Sequence, residues 1–233
     1  MNLNNRGETM CVWSGFVAIS IFLVAWVFYL GWLIPPSPNL NAREITEVYQ
    51  QNVTGTRIAV ALISNFAGPL SVVFAAIITI YMLKMKGPSP VLAWINIVTY
   101  AIQVLVFIMP AEIYGATAYR LDRSPEITQF GNDLGWFIFD NVVGPTQIQW
   151  LSIGLAILWD RSEKPIFPRW FAFFNLWGAT IMLLNNMIIF FKIGPFAWNG
   201  LLGWWPGASV FCLWYYVAFY VMLKAVKEHG QTP

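Results

Sequence analysis

Six long apolar runs constrain this chain more than any other feature: 12–34, 58–83, 91–111, 134–159, 170–191 and 201–223. A bilayer core is about 30 Å thick, so at about 1.5 Å rise per residue a helix needs about 20 apolar residues to cross it. All six runs meet that length. Five contain no charged residue, and the fourth contains Asp140 alone. In hydrocarbon every backbone N–H and C=O must find an internal partner, which leaves helices and closed barrels. The alternating pattern of about ten residues that marks a barrel strand is absent. The expectation is an all-α, polytopic integral membrane protein, a single six-helix transmembrane domain. The first run exceeds the apolar core of a signal peptide and no A-x-A site follows it, so it reads as a retained helix.

Composition closes the other routes. Charged residues make up 10% of the chain and apolar ones 58%, against about 25% charged in soluble domains. A net charge of +2 with no long basic cluster argues against nucleic acid. Cys11 and Cys212 both lie in or beside apolar runs and read as buried free thiols rather than a disulfide. With His229 as the one histidine, zinc, haem, copper and iron–sulfur sites lack ligands. Neither a metal nor a cofactor is expected.

Six spans put both ends on one side. With the N-terminus cytoplasmic, the inner side carries eight basic residues: Arg6, Lys84, Lys86, Arg161, Lys164, Arg169, Lys224 and Lys227. The outer side carries five: Arg43, Arg57, Arg120, Arg123 and Lys192. Positive residues concentrate in cytoplasmic loops, so this orientation is the expected one. It makes Lys84–Pro90 and Asp160–Arg169 short inner turns.

The second and fourth spans share N-x-x-G-P, at Asn65–Pro69 and Asn141–Pro145. Glu-Ile-Thr precedes each, at Glu44–Thr46 and Glu126–Thr128, and Trp94 or Trp170 opens the span that follows. The pattern predicts a parallel pseudo-repeat, Asn41–Tyr119 and Ser124–Gly194, with helices two and four kinked. Pro69 and Pro145 lack an N–H, so the carbonyls of Asn65 and Asn141 lose their helical donors. The kink either shapes packing or lines a cavity, and parallel repeats in transporters commonly flank a site.

Polar groups gather in the outer half of the membrane. Asn65, Glu112, Asp133, Asp140, Asn141, Asn185 and Asn186 lie there, with Gln103, Gln147 and Gln149 nearer the midplane. Intramembrane ionisable groups usually face an interior or a wet cavity. Asp133, Asp140 and Gln147 follow at intervals of seven, which keeps them on one helical stripe. Each has a plainer reading. Glu112 suits a surface carboxylate paired with Arg120 or Arg123, and Asp133 suits a helix cap after Gly131-Asn132. Asn185 and Asn186 suit interhelical glue, and most tryptophans suit interfacial anchors. Asp140 lies too deep for a cap. Trp198, Trp204 and Trp205 stand where they could wall an apolar site.

Two surface features complete the picture. The outer segment 41–54 reads as an amphipathic helix with Ile45, Val48 and Tyr49 on one face, lying on the membrane as a lid. Gly203–Gly207 forms G-x-x-x-G, a weak pointer to a homo-oligomer.

A retinal protein would need a lysine deep in a late helix, and Lys192 and Lys224 stand at helix ends. The chain's size and buried carboxylates resemble integral-membrane terpene cyclases and sterol isomerases, which implies acid–base chemistry. Phe167-Pro168-Arg169-Trp170 and Gly194-Pro195-Phe196-Ala197-Trp198-Asn199-Gly200 are similar to six-span proteins of hydrocarbon- and steroid-degrading bacteria, which implies a bacterial inner membrane and no particular activity.

Three functions follow. The first is binding or transport of a small, mainly apolar molecule (a lipid, terpenoid, steroid or aromatic) in an outward-facing pocket. Its candidate contacts are Asn65, Asp140, Asn141, Gln147, Asn185, Asn186 and Trp204. The second is a structural subunit of a larger membrane complex. The third is an intramembrane acid–base isomerase or cyclase with Asp140 as the leading group and Glu112 or Asp133 as its partner.

Overall fold

The structure, a computed structural model, describes residues 3–230. Among these residues there is no strand, and six helices are long and apolar enough to cross a membrane. In chain order the elements are α1 (Arg6–Leu30), α3 (Val53–Leu83), α4 (Pro90–Tyr119), α5 (Pro125–Trp159), α6 (Arg169–Ile189) and α7 (Trp205–His229), with the short α2 (Ala42–Gln51) before α3. Each spanning helix packs against the next, and α7 returns to α1, so the spans form a closed ring.

Local chemistry sets the helix ends. Gly31 adopts φ 75° behind α1, a left-handed conformation that costs glycine little, and it lets the N–H of Trp32 reach the carbonyl of Trp26. Asn52 caps the same end by donating its amide to the carbonyls of Tyr29 and Leu30. Ser89 and Ser124 precede Pro90 and Pro125, which fill first-turn positions where a missing N–H costs nothing. The fourth span therefore starts at Pro125 rather than 134, and Asp133 lies inside the helix. It is not a cap. α4 runs on through Pro110 to Tyr119, and residues 201–204 belong to the loop before α7.

The two connections expected to lie inside are short, and they touch: the N–H of Arg161 donates to the carbonyl of Lys86 at 2.7 Å. Asp160 holds this turn by accepting from the backbone of Ser162 and Ile166 and from the Ser162 hydroxyl.

The segment 41–54 departs from its expected place. A capping box between Asn41 and Glu44 starts α2, but the apolar face turns into the protein and not onto the membrane. Ile45 and Tyr49 are buried, and the Tyr49 hydroxyl donates to Asn132 Oδ1 at 3.3 Å on α5. Burial, and then the neighbouring Asp133 carboxylate, push the Tyr49 phenol well above its ordinary pKa, which keeps it a donor. α2 is a cap on the end of the ring opposite the two short turns, the end expected to face outward.

Tryptophan usage also differs from expectation. Trp26, Trp32, Trp136, Trp150, Trp198, Trp204 and Trp214 are buried, while Trp13, Trp94, Trp159, Trp170, Trp177 and Trp205 remain exposed. Five of the buried rings close the outer end. Trp136 contacts Trp26, Trp32, Trp198 and Trp204 at centroid distances of 5.7–5.8 Å. The indole N–H groups of Trp198 and Trp204 donate to the carbonyls of Pro36 and Leu33, tying the loop before α7 to the loop after α1. Gly203 and Gly207 are buried within this protomer, and a Cβ on Gly207 would strike the Asn185 carboxamide. The two glycines of the G-x-x-x-G therefore pack inside the ring.

Candidate functional site: an aromatic cavity around Asp140

The N-x-x-G-P repeat shapes the site, although its two copies behave differently. In α3 the residues Ile63–Ala67 form a π-turn and regular helix resumes at Gly68. In α5 the residues Phe137–Asn141 form a π-turn, and the helix then breaks. Val142 sits at φ −85°, ψ 65°, and the N–H of Val143 donates to the carbonyl of Asn141 at 3.0 Å. This is an inverse γ-turn. It supplies the donor that Pro145 cannot give. Such π-turns occur often at functional sites because the added residue re-aims its neighbours.

Asp140 sits in that π-turn. Opposite it, α6 changes to a 3-10 helix over Met182–Ile189, which carries Asn185. The two irregular segments pack against each other. The Asn185 amide nitrogen donates to Asp140 Oδ1 at 2.5 Å, and both residues are almost fully buried. Gly207 leaves the room that the Asn185 carboxamide fills. Asp140 Oδ2 and Asn185 Oδ1 have no hydrogen-bond partner in the protein. Such an orphaned oxygen costs about 1–3 kcal/mol.

Both residues line a cavity of about 210 Å³ in the outer half of the ring. Phe22 and Trp26 of α1, Phe107 of α4, Phe139 of α5, and Phe211 of α7 make its walls, with Trp204 at its outer end. Trp26 stacks on Phe139 at 4.6 Å, and Phe107 lies 5.0 Å from Phe211. Gln103 and Thr146 add a second polar pair, in which the threonine hydroxyl donates to the glutamine Oε1. Exposed Leu33, Val142, Trp205 and Ser209 form the rim. Among the described residues no three His, Cys, Asp or Glu side chains cluster as a metal site would need.

Of the residues singled out by sequence, the cavity brings together Gln103, Asp140, Asn185, Trp204 and Trp205. Asn65 is exposed on the outside of the ring and donates to its own Ala61 carbonyl. Gln147 turns to the Ala179 carbonyl on α6. Asn141 and Asn186 are half-buried and stand outside the lining. Asp133 accepts from the Asn132 amide, away from the cavity. Glu112 is exposed in a separate groove with Arg57 and Arg123, whose guanidinium groups bond backbone carbonyls of Tyr119 and Ala116. The heptad stripe fails because the π-turn and γ-turn between Asp133 and Gln147 change the angular step.

Sequence reasoning passed over Phe22, Trp26, Phe107, Phe139, Thr146, Phe211 and Cys212 as wall residues. Only Trp26 carried a signal, since it sits too deep in its run for an interfacial anchor. The polar groups of the inner half are also more organised than their sparse sequence positions suggest. Gln149 donates to Asn96, which donates to Thr79, linking α5, α4 and α3. Trp214 donates to Asn175 at 2.9 Å. These groups are satisfied by one another.

Known protein families, characterised proteins and solved structures offer no match to this chain.

Proposed function

We propose that this protein binds a small, mainly apolar molecule within the membrane, in the cavity around Asp140, as a carrier or transporter. The observation that carries the reading is a cavity of about 210 Å³ walled by aromatic side chains, with the hydrogen-bonded pair Asp140 and Asn185 in its lining. A few polar groups in an otherwise apolar pocket are the usual device for orienting a ligand. The positive-inside count supports an orientation with the tryptophan end outside and both ends cytoplasmic, and the resemblance to six-span proteins of degradative bacteria supports a bacterial inner membrane.

Acid–base chemistry on the same molecule is the second reading, favoured by the buried carboxyl of Asp140 beside an apolar cavity. Glu112 and Asp133 stand away from the cavity, so Asp140 would act alone, and binding is preferred for that reason.

The test uses 1-aminoanthracene, a neutral apolar fluorophore, with protein purified in detergent. Saturable binding is expected, and Ala208→Trp, which fills the cavity from α7, should abolish it. Unsaturable partitioning, equal in both proteins, would overturn the binding reading. Turnover of a copurifying molecule, lost in Asp140→Asn, would establish the acid–base reading instead.

A further inference from the structure

α1 and α7 close the ring, and they are tied to each other at two levels. Toward the end with the two short turns, Phe16 packs on Tyr216 and Phe219 at centroid distances of 5.6 and 5.1 Å. At the tryptophan end the indole N–H of Trp204 donates to the Leu33 carbonyl at 3.0 Å. Between these ties the facing edges of the two helices line the cavity: Leu23 and Val27 on α1, and Trp205, Ser209 and Cys212 on α7. None of the five is buried. Leu23 continues the edge of Phe16, and Ser209 that of Tyr216, each seven residues further along antiparallel helices, or about 10 Å. Ser209 also lies one turn from Leu213 and three turns from Tyr220, which are 50% and 62% exposed on the face that α7 turns to lipid. A residue that both faces lipid and lines the cavity marks an opening between the two.

We propose that this gap is a lateral portal, and that the ligand is a lipid-like molecule that enters through it from the hydrocarbon of the adjoining leaflet. This deepens the binding function proposed above and rests on it. The tryptophan end is shut by interlocked indoles, Trp26, Trp136 and Trp204 among them, so a solute arriving from water on that side meets a roof. The side gap carries no charge on either edge. A hydrocarbon chain or ring can pass it without leaving an apolar medium, which is the state such a molecule already favours. The aromatic walls then receive it, and Asp140 and Asn185 lie within their lining.

The experiment places the full chain in phosphatidylcholine vesicles containing a phosphatidylcholine with a diazirine at mid-acyl chain, a label that cannot leave the bilayer. Phe107 is the reporter, because it packs inside the ring on Phe22, Phe139 and Phe211 from three other spans. Irradiation should label Phe107, and saturating 1-aminoanthracene should lower that labelling at least fivefold while labelling of Leu213 and Tyr220 stays constant. Labelling of Leu213 without Phe107, or labelling of Phe107 that the fluorophore does not lower, would overturn the portal. Either result beside saturable 1-aminoanthracene binding leaves the cavity reading standing, whereas failure of the fluorophore to bind saturably removes both. A second measurement uses Ser209→Trp, which sets a large ring in the gap. Binding and release of 1-aminoanthracene should both slow at least tenfold, and either rate left unchanged in the folded variant would also sink the proposal. The labelling decides the matter even if that variant does not fold.

Discussion

Asp140 and Asn185 show how much a single missing side chain can matter. The Asn185 carboxamide occupies the space a Cβ at position 207 would need, so glycine there is a packing requirement and not a helix breaker. Gly207→Ala forces Asn185 off Asp140 and overpacks the cavity wall. It should cost about 1–3 kcal/mol, read as a fall in the thermal midpoint, with weaker 1-aminoanthracene binding. A midpoint unchanged in that variant would mean that Asn185 swings aside freely. Asp140→Asn acts in the opposite sense. An amide is cheaper to bury than a carboxylate at membrane depth, so its midpoint should hold or rise. A large drop would assign Asp140 to structure.

The spanning helices were legible because length and apolarity decide them, and proline marked where two of them depart from regular geometry. The irregular segments themselves were not legible. Nothing in Phe137–Asn141 announces a π-turn in place of an α-turn, and that one added residue aims Asp140 into the cavity while Asp133 and Gln147 point elsewhere. Helix starts were missed for a related reason. Residues 125–133 are polar enough to look like loop, yet they pack against α2 rather than lipid. The element-scale test is Pro145→Ala, which restores an N–H for the Asn141 carbonyl. The break at Val142 should close toward α-helix, slowing hydrogen exchange over 141–147, and fluorophore binding should weaken as Asp140 rotates. Unchanged exchange there would show that packing, not Pro145, dictates the break. The inner ladder behaves differently. Asn96→Ala removes the link between Gln149 and Thr79, and it should cost about 0.6–1.7 kcal/mol without touching binding.

At the scale of the whole molecule the ring has two unlike ends. The outer end is closed by α2 and five interlocked indoles over the cavity, and the inner end by two short turns that bond each other. Charge supplies the expectation for direction across the membrane. Eight basic residues lie at the end with the short turns and five at the tryptophan end, and positive loops stay cytoplasmic. A reporter cysteine must therefore leave that balance intact. It must also avoid Gly87, whose φ of +107° and nearby Trp159 carbonyl make any side chain strained. Glu163 and Asp122 are exposed at opposite ends and change no Lys or Arg. With Cys11 and Cys212 replaced, Asp122→Cys should react with a membrane-impermeant maleimide in intact cells, and Glu163→Cys only after lysis. The reverse pattern would put the tryptophan end and the cavity mouth in the cytoplasm. The binding proposed here would then draw its ligand from the inner leaflet, and the Asp140–Asn185 geometry would be untouched.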